Sequence, residues 1–315
     1  MTRAVVAASF GGPEVLSVID VPVAEPGPNQ VVVEVRAAGT NPYDYKLYSG
    51  AYGSDPSQLP IRLGMEAAGV VSAVGDDAEG PAGPVRSGDE VIAYPAHGAY
   101  AARVVVPASA VVPKPPTFSF EEASGLLLTG STAVHALTVT GVTDGDTVVV
   151  HGASGGVGLM AVQLAVNAGA RVIGTASQAS HAYLRELGAE PVTYGEGLVE
   201  RIRTMALEGV DAAVDTIGSD EALDASIALV ADRNRIVTIA AFQRGVELGI
   251  KVIGAGPGGD PGTEIRAAAK LELVRLATAG KLLVRVAGTY PFSEADAAHR
   301  ELMSGHTHGK IVLVP

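Results

Sequence analysis

The segment 147–175 constrains this chain more than any other. A β-branched apolar run at 147–151 leads into Gly152, Ala153, Ser154, Gly155, Gly156, Val157 and Gly158; an Ala-rich helical stretch follows at 159–168, and a second apolar run fills 171–175. Strand, glycine-rich turn, helix and strand within about thirty residues form the βαβ unit that binds dinucleotides. Ala153, Gly155 and Gly158 occupy the three fingerprint positions, with alanine in the first. The second position lets the backbone approach a pyrophosphate, and the third lets helix and strand pack closely. The pyrophosphate would sit on the free N–H groups of the helix start, which brings in Ser154, Gly156 and Val157. The same residues also match G-x-S-x-G, the nucleophile elbow of hydrolases, with Ser154 as nucleophile and His299, His306 or His308 as a late base. The further strand–helix alternations, and the lack of an upstream glycine-rich oxyanion loop, speak against that reading.

Those alternations continue downstream. Candidate strands lie at 191–194, 212–216, 235–240 and 249–253, with helices at 181–187, 198–206 and 221–230. Such alternation implies a parallel, doubly wound sheet with right-handed crossovers. The first third reads as β. Short Val-rich runs at 1–7, 16–23, 30–37, 69–74, 89–93 and 99–106 are separated by Gly and Pro, with no helical period of any length before residue 113. A compact, partly closed β-domain is expected there. Helical spacing starts at Ser119 and runs to Thr138. After the Gly/Pro-rich stretch 254–262 come a helix at 264–279, strands at 283–286 and 309–314, and a helix at 294–303. That tail is too small to fold alone, so it is expected to rejoin the N-terminal domain. The predicted domains are 1–118 with 263–315, and 119–262.

Composition narrows the function. Of 315 residues 47% are hydrophobic, enough for a sizeable core, yet there are only 9 Tyr, 5 Phe and no Trp. The core must therefore be Val, Ala, Leu and Ile, which suits a sheet covered by Ala-rich helices. The chain has no cysteine, which rules out disulfides, thiolate zinc clusters, a cysteine nucleophile and Fe–S ligation. A net charge of −12 argues against a nucleic-acid or anionic-membrane partner. Residues 1–12 lack the layout of a signal peptide, and the glycines inside the apolar stretch 147–170 argue against a membrane span. A cytoplasmic α/β protein is expected.

An NAD site usually carries an acidic residue at the end of its second strand, on the ribose 2′-hydroxyl. Here no carboxylate follows 171–175 until Glu186, which favours NADP over NAD. Ser177, His181 and Tyr194 are the candidate partners of a 2′-phosphate, with Arg185 about one helical turn beyond His181.

A β-domain, an embedded Rossmann domain and a returning tail resemble the medium-chain dehydrogenase/reductase superfamily. Within it the chain is similar to the zinc-free quinone oxidoreductase (zeta-crystallin-like) branch, over essentially its whole length. The markers are the words beginning at Gly39-Thr40-Asn41, Gly64-Met65-Glu66, Gly88-Asp89-Glu90-Val91, Leu128-Thr129-Gly130-Ser131-Thr132 and Gly309-Lys310. The resemblance implies a GroES-like partly closed β-barrel beside the Rossmann domain. It also departs from the zinc-dependent branch. Those enzymes carry a cysteine shortly after the glycine matching Gly39 and a Gly-His-Glu triplet, where this chain has Thr40-Asn41 and Gly64-Met65-Glu66. No zinc is expected, and without a Lewis acid alcohol oxidation loses its main support.

What the resemblance implies is an NADPH-dependent reductase acting on a small quinone or enone, with direct hydride transfer. Alternatives are a 2-enoyl-thioester reductase of the same superfamily, or an NADPH-binding protein with little catalysis. Asn41 and Tyr52 match active-site positions: Asn41 would orient the nicotinamide ribose or the acceptor carbonyl, and Tyr52 would donate a hydrogen bond or proton. Tyr45 and Lys46 are lesser candidates. Thr132 matches a cofactor-contacting position; Ala240, Ala241 and Phe242 follow the fifth Rossmann strand, where the loop flanks the nicotinamide. His306, His308 and Lys310 fall where relatives bring a basic residue toward the cofactor, whereas His135, His151 and His299 are expected in helices or strands without chemistry. Relatives commonly pair Rossmann sheet edges, so a homodimer is expected.

Overall fold

The structure is a computed structural model that describes residues 1–305 and 307–315. The chain forms two compact units, Met1–Leu128 with Lys270–Pro315, and Thr129–Ala269. Both boundaries fall inside helices, later in the chain than the expected 118/119 and 262/263.

The first unit opens with a hairpin, β1 (Thr2–Ala7) and β2 (Leu16–Val21), followed by β3 (Gln30–Gly39). A helix absent from the sequence reading comes next, α1 (Pro42–Tyr48). Seven residues are too few to show a helical period, but its start is well specified. Pro42 takes the first helical position, and Asp44 accepts from the N–H of Asn41 at the cap, 2.8 Å away. Then follow β4 (Ile61–Arg62), β5 (Ala67–Val74), the small pair β6 (Glu79–Gly80) and β7 (Gly83–Pro84), β8 (Glu90–Ala93), β9 (Arg103–Pro107) and β10 (Val111–Pro113). The expected strand at 99–106 thus begins later, with Ala101 only bridging to Ala4.

The helical stretch at 119–138 is two helices, α2 (Phe120–Ala123) and α3 (Leu127–Thr140). The second unit continues with β11 (Thr147–His151), α4 (Gly156–Asn167), β12 (Arg171–Thr175), α5 (His181–Glu186), β13 (Glu190–Val192), α6 (Leu198–Met205), β14 (Ala212–Asp215) and α7 (Asp220–Leu229). It closes with β15 (Ile236–Thr238), α8 (Phe242–Leu248), β16 (Lys251–Val252) and the start of α9 (Thr263–Thr278). Its six strands are all parallel, in the order β13-β12-β11-β14-β15-β16. That order reverses direction after β11, which places the ligand crevice of such a sheet at the carboxyl end of β11. Val148, Val149 and Val150 on β11 are fully buried, as a strand covered on both faces requires.

The tail supplies β17 (Val286–Pro291), α10 (Ala295–Met303) and β18 (Lys310–Val314) to the first unit. The strand expected at 283–286 starts only at Val286. β18 pairs antiparallel with β3, so that Leu313 faces Ala38 and Val312 faces Gly39. The larger sheet then runs β10-β8-β5-β3-β18-β17, with β9 also on β3. Val31, Val33 and Val35 alternate into its core, each fully buried β-branched side chain contributing roughly 1.5–3 kcal/mol. No helix among the described residues is long and apolar enough to cross a membrane.

Candidate active site

In the second unit β11 ends in Gly152, whose φ of +70° is the left-handed region. Its N–H donates to Thr175 Oγ1 at 3.2 Å, and the Ala153 N–H donates to the Thr175 carbonyl at 3.0 Å. The Thr216 hydroxyl donates to the His151 carbonyl at 2.8 Å. Neighbouring strands on both sides thereby hold the turn. α4 follows at Gly156 with Gly155 as its cap, so the first-turn N–H groups at 156–158 have no acceptor within the helix. A Cβ at Gly158 would collide with the Gly152 carbonyl oxygen, which explains glycine in the third fingerprint position. Alanine in the first position has a counterpart across the sheet: a Cβ on Gly174 would lie 2.9 Å from the Ala153 methyl. Ser154, Gly155, Gly156 and Val157 are partly exposed at this helix start. No hydrogen bond among the described residues joins Ser154 to a histidine or a carboxylate, as an elbow nucleophile needs.

Beyond β12, Ser177 Oγ is enclosed and has no hydrogen-bond partner. It is an unsatisfied hydroxyl two residues past the end of β12. His181 Nε2 lies 3.3 Å from the Ala176 carbonyl, and Tyr194 is exposed. Asp215, which the sequence reading missed, ends β14 fully buried. It accepts from Thr238 Oγ1 (2.6 Å), the Gly218 N–H (2.9 Å) and the Ile217 N–H (3.1 Å), while burial pushes its carboxyl up from the usual range. Thr238 Oγ1 in turn accepts from the N–H groups of Ala240 and Ala241. One buried carboxylate thus shapes two of the loops at this end of the sheet. Phe242 covers Gly254 and Gly256, and a Cβ at Gly256 would press on its ring. Thr132 accepts from Arg266 Nη1 at 3.1 Å, and Arg266 Nε lies 3.4 Å from His135 Nδ1. His135 Nε2 is 3.2 Å from Asp260, and burial lowers its pKa. His135 and His151 stand in α3 and β11, as expected.

The first unit gathers Asn41 and Lys310 into one buried network. Lys310 Nζ donates to the Thr40 carbonyl (2.7 Å), Asn41 Oδ1 (2.7 Å) and Glu66 Oε1 (3.0 Å). Asn41 Nδ2 donates to Glu66 Oε1 (3.1 Å) and the Gly39 carbonyl (3.3 Å), and Glu66 Oε2 accepts from the Leu128 N–H (3.0 Å). Asn41 is 2%, Glu66 0% and Lys310 4% exposed. An ammonium has three donors, and all three are used. All three donors of Lys310 thus end within its own unit. Below this network lies Asp44, its carboxyl raised to about 6 by burial although Tyr100 and two backbone N–H groups bond it.

Tyr52 follows α1 and is 39% exposed. Its ring lies 5.8 Å from that of Tyr43, and burial, with Tyr43 and Tyr45 nearby, raises its pKa. The phenol thus stays protonated at neutral pH. Four of the chain's nine tyrosines fall within residues 43–52, a concentration that would have pointed to Tyr43 in the sequence. Lys46 is half-buried, which lowers its pKa. His308 is partly buried, and His306 lies outside the described residues.

The residues at the zinc-ligand positions do not form a zinc donor set. Thr40, Asn41 and Met65 offer neither thiolate nor imidazole, and Glu66 is bonded to an ammonium. Known proteins agree with the two-unit layout. The chain matches the alcohol dehydrogenase GroES-like domain over residues 27–116 and the zinc-binding dehydrogenase family over residues 156–256. It is 34% identical to a quinone oxidoreductase of Pseudomonas aeruginosa, covering 100% of both chains. Among solved structures, a mycobacterial protein complexed with NADPH matches at a TM-score of 0.86 and 33% identity, covering 99% of this chain and 100% of that one. The CurK enoyl reductase matches at 0.86 and 27% identity, covering 99% of each. Sequence, sheet order and full-length relatives together place this chain in the medium-chain dehydrogenase/reductase family, in its quinone oxidoreductase branch.

Proposed function

We propose that the chain is an NADPH-dependent reductase that delivers hydride to a quinone or an α,β-unsaturated carbonyl without a metal. The observation that carries this reading is the Lys310–Glu66–Asn41 network. It sets an ammonium from β18 against an amide and a carboxylate on the two segments that match the zinc-holding segments of the metal-dependent branch. A site of this composition gives little support to alkoxide formation but can serve an acceptor that is already polarised.

The second unit would hold the dinucleotide. The N–H groups at the start of α4 would face its pyrophosphate, glycine at 155 leaving the backbone open to that approach and glycine at 158 letting the helix pack on the turn. The unsatisfied Ser177 hydroxyl, without a carboxylate nearby in sequence, suits a 2′-phosphate better than a bare hydroxyl. When bound, the reduced nicotinamide supplies the hydride. Asn41 has spent both its N–H groups, and one lone pair of Oδ1 is left. It can accept from a hydroxyl, such as one of the nicotinamide ribose, and has no proton to offer an acceptor carbonyl. Negative charge that grows on the acceptor oxygen is met instead by the Tyr52 phenol, which donates a hydrogen bond or its proton and is refilled from solvent. A quinone so treated gains a hydride and a proton and leaves as hydroquinone.

The similarity to an enoyl reductase keeps a 2-enoyl-thioester as the second acceptor class. A homodimer paired through a Rossmann sheet edge is the proposed assembly, to be checked by sedimentation. The deciding experiment is NADPH consumption with a small naphthoquinone, NADH serving as control. Quinone-dependent oxidation that prefers NADPH supports the proposal; oxidation with an enoyl thioester alone selects the second reading.

A further inference from the structure

The geometry points to Lys310 as a positioning residue for Asn41: its ammonium, paired with Glu66, locks the Asn41 amide in one orientation. The three donors of Lys310 end on Thr40, Asn41 and Glu66, so the lysine ties together two segments of chain some twenty-five residues apart and the strand β18 that carries it. An ammonium only donates and a carboxylate only accepts. With Lys310 on one side of the amide and Glu66 on the other, Asn41 has one allowed assignment, oxygen toward Lys310 and nitrogen toward Glu66. A flipped amide would place NH2 against NH3⁺ and oxygen against carboxylate. Burial of all three side chains removes water as a substitute partner. Gly125 completes the cage, since a Cβ there would press on the Lys310 side chain at 2.8 Å. With its three donors taken up by Thr40, Asn41 and Glu66, Lys310 acts through Asn41. The inference rests on the reading that Asn41 meets the bound ligand.

The test uses the full chain labelled with ¹⁵N-asparagine, which adds only four side-chain amide pairs to the spectrum. Asn41→Asp identifies the pair of Asn41. Two variants follow: Lys310→Arg, which keeps the charge, and Lys310→Met with Glu66→Gln, which avoids leaving a lone buried carboxylate. The Asn41 amide protons are expected to exchange slowly in the parent and in Lys310→Arg, and at least about tenfold faster in the double variant. The turnover arm measures NADPH oxidation by a naphthoquinone beside NADPH affinity from protein fluorescence. Loss of positioning is expected to lower kcat on the order of 10- to 100-fold, with NADPH affinity nearly unchanged. Unchanged amide exchange in the double variant overturns the inference. So does faster exchange with unchanged kcat, which would leave a purely structural ion pair. Weaker NADPH binding at unchanged kcat overturns it too, making Lys310 a direct phosphate partner. Should the parent reduce no acceptor, the proposed function fails, and the exchange arm still decides whether Lys310 fixes Asn41.

Discussion

The hydroxyl of Tyr48 lies 2.8 Å from Nδ1 of His299, 251 positions away in sequence, and the two rings stack at 5.6 Å. Tyr100 meets the same imidazole edge-on at 5.8 Å. His299 is fully buried, and its Nε2 has no partner. A proton added there would charge an enclosed ring, and burial accordingly lowers its pKa to about 4.

This sets the first prediction. Because the folded-state pKa lies below the unfolded one, the stability His299 contributes is present above pH 6.5 and is lost as pH falls through about 4. Asp44 in the same cluster works in the opposite sense, since its carboxyl is raised to about 6 and its contribution fades as pH rises through that value. A His299→Gln variant keeps a partner for Tyr48 and leaves Asp44 in place, so the difference isolates the imidazole. Urea denaturation at pH 7 and pH 4 is expected to show the parent losing roughly 3 kcal/mol more than the variant. Equal losses would refute the buried neutral imidazole.

Removing the Tyr52 hydroxyl addresses the proton donor. Tyr52→Phe is expected to lower kcat by about 100-fold, in the range for a general acid, while NADPH affinity stays near the parent value. Steady-state kinetics beside fluorescence titration provide the check. Full turnover in the variant would assign the proton to another group, with Tyr45 next in line.

Gly158 is the position where the turn has no room. Gly158→Ala places a methyl against the Gly152 carbonyl, an overpacking expected to cost about 1–3 kcal/mol. Calorimetry is expected to show a lower melting temperature, and NADPH titration a weaker complex. A variant that melts and binds like the parent would mean that the turn is looser than its geometry indicates.

Cofactor choice is expected to hinge on Ser177. Replacing it by glutamate sets a carboxylate where the 2′-phosphate is proposed to bind, and the preference for NADPH over NADH is expected to fall by at least about tenfold, the equivalent of 1.4 kcal/mol. The ratio of kcat/KM values for the two cofactors reads this directly, and an unchanged ratio would move the phosphate elsewhere.

Chelation offers a simpler check. Incubation with 1,10-phenanthroline followed by desalting is expected to leave reductase turnover unchanged, because no proposed step passes through a metal. Loss of activity that added zinc restores would overturn the metal-free mechanism.

The Rossmann unit was legible because its signals are local. Strands such as 147–151 and 171–175 were placed to the residue, since an apolar run bounded by glycine carries its own limits. Helix α1 was not, because seven residues beginning with proline show no period. Its start depends instead on Asp44 reaching back to Asn41, a bond between two ordinary-looking polar residues. Asn41 and Tyr52 stood out only through family resemblance. Glu66 as the partner of Lys310, and Asp215 as the organiser of its loops, were hidden for another reason. A buried charge is recognised by its partner, and these partners arrive through strand order rather than sequence spacing.

The 244 positions that separate Glu66 from Lys310 also order events in time. At ribosomal rates of roughly 5–20 residues per second, Glu66 leaves the ribosome more than ten seconds before the lysine that neutralises it. Throughout that interval the nascent first unit lacks β18, and the Asn41 amide has no cation to define its orientation. A chain stalled between residues 269 and 310 would therefore carry the Rossmann unit complete and its partner unit unfinished, with Glu66 still waiting for its ammonium.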